Sequence, residues 1–401
     1  MSFIKRSDKF RIEPTAAQRP GFVQAAGARR WVWNWALERR IRYYATHKTT
    51  LSVTALCKEL TALKRQPETA WLNDVDSQAL QQAIRDLAAA FDQFFARRAR
   101  FPKFKTRKRD RLRFRIPQRV KVERNRVYVP KIGWVKLRQS RPLQGRLTSA
   151  TFSRDATGCW DVSFATELEV PDAPLPPVNP ARTVGLDDGL QDFVVLSTGQ
   201  TIPAPRFFRK GEASLRRAHR HLSRCQRGST RRVKARLRLA RLHRKIANRR
   251  RDFVHQTTSA LVRAHDGVCL QDLSVQGLAR TKLAKSVTDA ALGELHRQLR
   301  YKTAWHHRHH AVVDHWFPSS KRCSVCGALH DGLRLSDRVW TCVCGAVHDR
   351  DLNAARNILA EGLRLLTTSP RDTRETENAR RGAVSPPTGR QAPMTRESPG
   401  R

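Results

Sequence analysis

The sequence predicts an α+β multidomain protein, and three of its features carry that prediction. Apolar residues recur at helical spacing in the first quarter of the chain and at strand alternation from Val120 to Phe164. Past a proline-rich run, VPDAPLPPVNP at 170–180, short apolar strands alternate with long basic helical stretches, and two cysteine pairs follow them. At 401 residues the chain is long enough for two or three cores.

In chain order, Phe3 to Ile12 alternate loosely as one short strand before Pro14 opens a helical region. The stretch Trp31, Trp33, Trp35, Leu37 is apolar on more than one side, which suits core packing, with one or two rings available to stack on bases. Val53, Leu56, Leu60 and Leu63 mark one helix. Leu80, Ile84, Leu87, Phe91 and Phe94 mark another, capped at Asp76-Ser77. The run FPKFKTRKRDRLRFR at 101–115 interleaves Phe101, Phe104 and Phe114 with cations, a pattern that suits phosphate gripping and base stacking at least as well as a solvated loop. Strand alternation then appears at Val120/Val122, Val127/Val129 and Trp134 to Leu137, and in a hairpin of Ala150, Phe152, a turn at Asp155 to Gly158, Trp160, Val162 and Phe164. A small barrel or sandwich follows from that series.

Beyond the proline-rich linker, TVGLDDGL and DFVVLSTG read as strand, tight turn and strand, with Asp187 and Asp188 ending the first. Glu212 to Arg251 is helical with a break at Gly228-Ser229; Ala235, Leu239, Leu242 and Ile246 form its apolar face and arginines fill most other positions. VCLQDL at 268–273 is a short strand ending in Gln271-Asp272, a helix runs from Leu292 to Trp305, and Ala311 to Phe317 reads as another strand. The histidines of HHRHH at 306–310 lack the pair spacing of a closed metal site and are expected in a polar surface turn. The polar tail 367–401 has no periodicity and is expected to be disordered.

Charge bounds the partners. Lys+Arg 78 against Asp+Glu 35 gives +43, an excess that repels itself unless a polyanion neutralises it. A basic helical hairpin over 212–251 suits contacts along a nucleic-acid backbone. A ribosomal-type RNA binder would fit the charge, but such proteins seldom bury 9 Trp and 16 Phe in a chain of this length. No apolar run approaches the ~18 residues of a membrane span, and MSFIKRSDKF lacks a secretory core, so a cytoplasmic location is expected. Cys57, Cys159, Cys225 and Cys269 are scattered, as reduced thiols would be.

The other cysteines are paired. Cys323/Cys326 and Cys342/Cys344, with Gly327 and Gly345 after each pair, can supply the four thiolates of a structural zinc, although the second pair is CxC rather than CxxC. Asp349 and Asp351 follow at once, before an alanine-rich helix. Asp187, the strand end Gln271-Asp272 and Asp351 could converge as in an RNase H-like fold, where carboxylates hold two divalent cations at a phosphodiester; single aspartates at strand ends also serve as turn formers.

KFRIEPTAAQ, SQALQQAIRDLAAAF, FPKFKTRKRDRLRFRIP, GLDDGL, KARLRLARLHRKIANRRRDF, LQDLSVQGLAR, LRYKTAW, SSKRCSVCG and HDRDLNAARNIL occur here in one ordered set. In this the sequence resembles the TnpB (OrfB) family of transposon-encoded RNA-guided DNA endonucleases, relatives of the type V CRISPR effectors, over roughly residues 8 to 365. The resemblance implies a β-barrel wedge domain (1–13 and 101–172) with an inserted helical recognition domain (14–100), a linker (173–182), and an RNase H-like, RuvC-type α/β nuclease domain (183–317 and 346–366) carrying a zinc ribbon (318–345). It implies Zn²⁺ on Cys323, Cys326, Cys342 and Cys344, and two catalytic Mg²⁺ ions held in part by Asp187 and Asp351. A guide RNA from the transposon end and target double-stranded DNA are the implied partners. Lys103, Lys105, Arg107, Lys108, Arg231, Arg232, Lys234, Arg238, Arg249 and Arg250 are the candidate nucleic-acid contacts.

One position departs from the family. The second catalytic residue should be the glutamate of an EDL motif, and this chain has Gln271. Glutamine keeps the size and one carbonyl oxygen but brings no charge to a site for two divalent cations, so metal affinity and cleavage should fall. Asp188 and Asp272 are the nearest acids, yet each neighbours an inward-facing strand position and should point to the opposite face. The leading expectation is an RNA-guided DNA-binding protein with weakened or abolished cleavage. A nuclease-dead, RNA-guided repressor is the alternative, and a strand-transferring transposase a third that the ribbon before Asp351 disfavours.

Overall fold

A computed structural model describes residues 2–170, 174–334 and 336–368. The chain divides into two compact units, Met1–Ala173 with Ser214–Lys245, and Pro174–Ala213 with Ile246–Arg401.

The first unit is built on strand β1 (Ser2–Glu13), followed by helices α1 (Arg19–His47), α2 (Val53–Leu63) and α3 (Ser77–Phe95). Asp76 caps α3 through the N–H groups of Gln78 and Ala79, as the sequence signal there predicts, and Ser52 caps α2 through the Ala55 N–H. Six further strands follow: β2 (Arg113–Ile116), β3 (Lys121–Glu123), β4 (Arg126–Val129), β5 (Gly133–Arg138), β6 (Arg146–Arg154) and β7 (Trp160–Val170). They join β1 in one antiparallel sheet of order β2-β6-β7-β1-β5-β4-β3, so the expected short first strand is a long central one. Phe22 of α1 reaches the sheet, its ring 5.0 Å from Trp160 and 5.7 Å from Phe152, and the helices and sheet share one core.

Phe114 belongs to that core at 1% exposure, which corrects its reading as a stacking residue: the alternation of β2 turns it inward beside Phe22 and Phe152. Phe101 and Phe104 are exposed, although Phe101 also packs edge-on against Phe91 and Phe94.

The second unit opens with β8 (Thr183–Asp188), β9 (Asp192–Leu196) and β10 (Thr201–Pro203), an antiparallel run. Helices α4 (Phe207–Arg224) and α5 (Thr230–Ala264) follow, broken at Gly228, whose φ of +86° a side chain would strain. Their stretch 214–245 clusters with the first unit, where Arg244 bonds Asp155 and Thr157 in the β6–β7 turn. Then come β11 (Gly267–Gln271), α6 (Val275–Leu278), α7 (Ala284–Ala290), α8 (Leu292–Trp305) and β12 (His309–Val313). β11 runs parallel to both β8 and β12, giving the sheet order β10-β9-β8-β11-β12.

The histidine run is a surface turn only at His306 and His307. It follows α8 and enters β12, where His309 is buried on the Pro176 carbonyl and burial, with His296 and Arg300 nearby, pushes His310 down to about 4. Strand hydrogen bonding to Gly267 and Val268 of β11 overrides the polarity of these side chains. The expected strand over 311–317 accordingly starts earlier and ends at Val313.

A small hairpin of β13 (Val339–Thr341) and β14 (Val347–Asp349) precedes the last described helix, α9 (Arg350–Thr368). That helix continues through 367 and 368, where the tail was expected to begin; the rest of the expected disordered tail, and residue 173 of the expected linker, lie outside the described residues. Among the described residues no helix is long and apolar enough to cross a membrane.

Candidate active site and metal centre

Strand alternation decides which acids can meet. Gly185 of β8 faces α9, where an added Cβ would lie 2.2 Å from the Ala355 carbonyl oxygen, and Asp187 is two residues on, hence on the same face. Asp351 stands one helical turn before Ala355, at the end of α9 that reaches Asp187. Burial raises the Asp187 carboxyl to about 7, and repulsion from Asp188 and Asp351 adds to it; Arg350 and Arg338 pull the other way. Asp187 and Asp351 are thus electrostatic neighbours although 164 residues separate them (351 − 187).

Asp188 points to the opposite face, into the core side of the sheet, where its Oδ2 lies 3.0 Å from His296 Nε2 on α8. Asp349 does not join the pair either: its Oδ1 accepts from the Leu352 N–H and caps α9. Arg338, just before β13, sets its Nη1 3.3 Å from Asp351 Oδ2.

Gln271 is level with Asp187, because Leu270 pairs with Leu186 in the parallel register. Its amide turns to the segment after β12. Nε2 donates to the carbonyls of Asp314 (3.1 Å), His315 (3.2 Å) and Phe317 (2.8 Å), while Oε1 accepts from Ser319 Oγ (2.8 Å). Two carboxylates here offer the oxygen ligands that hard cations take, and the third position offers a neutral amide already engaged.

The four cysteines of the two pairs do converge. Their sulfurs all lie within 4.8 Å of one another, with Cys323 to Cys344 at 3.8 Å and Cys326 to Cys342 at 3.5 Å. Bonds of ~2.3 Å to one tetrahedral ion would separate the sulfurs by roughly 3.8 Å, so the cluster is compatible with structural zinc. Among the described residues this is the one grouping of three or more metal-type ligands. Burial opposes ionisation of Cys323, but the N–H groups of Cys326 and Val325, with His348, lower its thiol below the ordinary range, while Cys342, against the pull of the Cys344 N–H, is held above it by burial and the neighbouring sulfurs.

Two asparagines tie this knuckle to α9. Asn353 accepts from the Ser324 N–H and donates to the Arg322 carbonyl, and Asn357 donates to the carbonyls of Ser319 and Arg322. Sequence reasoning missed both, as it missed Arg338, Arg350 and His296. Asparagines four apart inside an otherwise apolar helix face were the available signal for the first two; nothing local marks the others.

The candidate nucleic-acid residues separate by environment. Lys103, Arg107 and Lys108 are exposed. Lys105 instead lies over Trp33, Nζ 3.3 Å from the ring centroid, and burial, with Arg29 nearby, pushes its ammonium down to about 8. On α5 within the first unit, Arg231, Lys234 and Arg238 are exposed and continue into Arg241 and Lys245 at spacings of three and four. Arg232 is spent on the carbonyls of Leu222 and Cys225 that end α4. In the second unit Arg249 is exposed and Arg250 pairs with buried Asp289.

A mixed sheet bears an acid pair, a four-thiolate knuckle is tied to the helix of the second acid, and comparison with known proteins gives the family. The sequence matches the IS605 OrfB family, described as "Probable transposase", over residues 163–282, the Cas12f1-like TNB domain over 293–358, and the family's helix-turn-helix domain over 1–49. A Streptomyces pristinaespiralis protein named "Putative RNA-guided DNA endonuclease" is 42% identical over 368 residues, 90% of each chain. The Escherichia coli K12 protein "Putative RNA-guided DNA endonuclease InsQ" is 35% identical, covering 88% of this chain and 91% of its own. In fold the chain is similar to Cas12f1 in a complex with sgRNA and target DNA, with a TM-score of 0.55 at 12% identity, over 89% of this chain and 99% of that one. The chain belongs to the TnpB (OrfB) family, relatives of the type V CRISPR effectors.

Proposed function

We propose that this chain is an RNA-guided DNA-binding protein whose cleavage is weakened or abolished at Gln271. The observation that carries it is the pairing of Asp187 and Asp351 beside a position whose side chain is a hydrogen-bonded amide. In this reading residues 1–13 and 101–172 form a wedge barrel, 14–100 a helical recognition domain, 183–317 with 346–366 an RuvC-type nuclease domain, and 318–345 the zinc ribbon. The sheet order β10-β9-β8-β11-β12, three antiparallel strands continued by two that run parallel to β8, supports the RNase H-like assignment. The relatives' names support a guide RNA and target DNA as partners; in this reading the DNA is double-stranded and the site of action is cytoplasmic, beside the nucleoid.

Asp187 and Asp351 would hold Mg²⁺, which when bound supplies activation of a water and stabilisation of the leaving oxygen of a phosphodiester. The chain's own part is to bring the two carboxylates together across the β8–α9 contact, and to offset their charge with Arg338 and Arg350. Gln271 adds no anion. A carboxylate in its place would face three carbonyl oxygens, so Gln271→Glu should swing away from them toward Asp187. The test is cleavage of a guide-matched plasmid in Mg²⁺ by the parent, Gln271→Glu and Asp187→Ala. Gain of cutting by Gln271→Glu alone supports the reading; equal cutting by parent and Gln271→Glu refutes the argument from charge.

A second reading, occupancy of DNA without cutting, is favoured by one specific observation. The Gln271 amide bonds four groups of the 314–319 segment, so the position has a fitted structural use rather than a vacancy left by decay.

A further inference from the structure

The segment that Gln271 anchors carries an unusual side chain. Residues 314–319 are held by the Gln271 amide, by His315 Nδ1 at 2.9 Å from the Asp272 carbonyl, by the Trp316 N–H on Asp314 Oδ1 at 2.9 Å, and by Asn357 on the Ser319 carbonyl at 2.8 Å. At its crest the Trp316 side chain is 85% exposed, whereas the next most exposed tryptophan, Trp71, is at 37%. An indole normally hides its large apolar surface, and this one is displayed on backbone that is fixed from both β11 and α9.

What it could receive follows from its surroundings. Asp314, His315, Ser319 and Ser320 of the same segment are polar, while Phe317 beside it is half-buried and Pro318 exposed. Exposed Arg322 and Lys321 stand a few residues on, as phosphate contacts would. Gln271 itself is level with Asp187, so the segment, which follows β12, lies one strand across β11 from the strand of the acid pair. A flat π face next to cations, one strand across from carboxylates suited to phosphodiester chemistry, matches an unpaired nucleobase.

We propose that Trp316 is a stacking platform for an unpaired base of single-stranded DNA, one strand across from the Asp187–Asp351 pair, with Gln271 as the positioning residue that holds it there. The proposal rests on the nuclease-family reading of that pair.

The experiment uses the full chain and an oligodeoxythymidylate carrying one 2-aminopurine, whose fluorescence falls on stacking. The parent should quench it. Trp316→Ala should bind about tenfold more weakly and lose the quenching, while Trp316→Phe keeps most of both and thermal melting stays unchanged in each. Gln271→Leu should reduce quenching and speed chymotryptic cutting after Trp316, with binding of RNA retained. Parental binding and quenching by Trp316→Ala would overturn the proposal, as would a Trp316→Phe no better than Trp316→Ala. A loss confined to an oligoribonucleotide probe would overturn the assignment to DNA. Failure of the parent to bind RNA or duplex DNA at all would instead remove the nuclease-family reading beneath it.

Discussion

Gly185 of β8 and Ala355 of α9 approach so closely that a Cβ on the glycine would sit 2.2 Å from the Ala355 carbonyl oxygen and 2.6 Å from the Leu359 nitrogen. Backbone atoms cannot yield there as a flexible side chain would, so Gly185→Ala must lift α9 from the sheet. The expected cost is about 1–3 kcal/mol or more, read as a lower unfolding midpoint in urea. Because Asp351 rides on the same helix, the variant should also lose Mg²⁺ binding, measured by titration calorimetry.

Asp187 makes stability depend on pH in an unusual direction for a carboxylate. Its folded pKa, about 7, exceeds the ordinary 3.8. The stabilisation is therefore fully present below the unfolded value and is lost as pH rises through about 7. Asp187→Asn escapes that loss. It should melt close to the parent at pH 4 and higher at pH 8 in chelator, by on the order of a few kcal/mol at ~1.4 kcal/mol per unit. Mg²⁺ should narrow the gap at pH 8; a gap of equal size at both pH values would contradict the burial of this group.

Metal analysis should find about one zinc per chain, following the four-thiolate cluster. Cys342→Ser should lose it and become sensitive to trypsin within 318–345. Since Asn353 and Asn357 tie the knuckle to α9, the variant should also weaken Mg²⁺ binding at the acid pair.

The exposed stripe of α5 is separable from its buried cations. Replacing Arg231, Lys234 and Arg238 by alanine should weaken RNA binding and flatten its dependence on log salt by about 2, at ~0.7 for each single-strand phosphate no longer neutralised. Melting should not change. Arg232→Ala should do the reverse, lowering the melting temperature with little effect on the salt slope, because its guanidinium ends α4 rather than facing solvent.

Much of this arrangement was legible in residue pattern. The cap at Asp76, the break at Gly228 and the turn at Asp155 to Gly158 are local chemistry, and local chemistry survives folding. The opposed faces of Asp187 and Asp188 follow from a period of two, and the four cysteines from pair spacing. What failed depended on partners distant in the chain. Phe114 looked like one of three stacking rings until α1 covered it, and Lys105 like a phosphate contact until Trp33 lay beneath it. His309 looked polar until a parallel strand took up its backbone. The hydrogen bonds of Gln271 were invisible for the same reason, since their acceptors lie 43 to 46 residues away in an irregular segment.

The docking of α9 also sets an order of events in time. On a chain made from its N-terminus, β8 with Asp187 emerges first, yet its partner acid lies beyond β9, β10, α4, α5, three further helices, β11, β12 and the whole cysteine knuckle. On a nascent or prematurely ended chain the basic stretches 101–115 and 212–251 are already present while the acid pair does not yet exist. The pair is completed last, and a chain ended before residue 350 never acquires it.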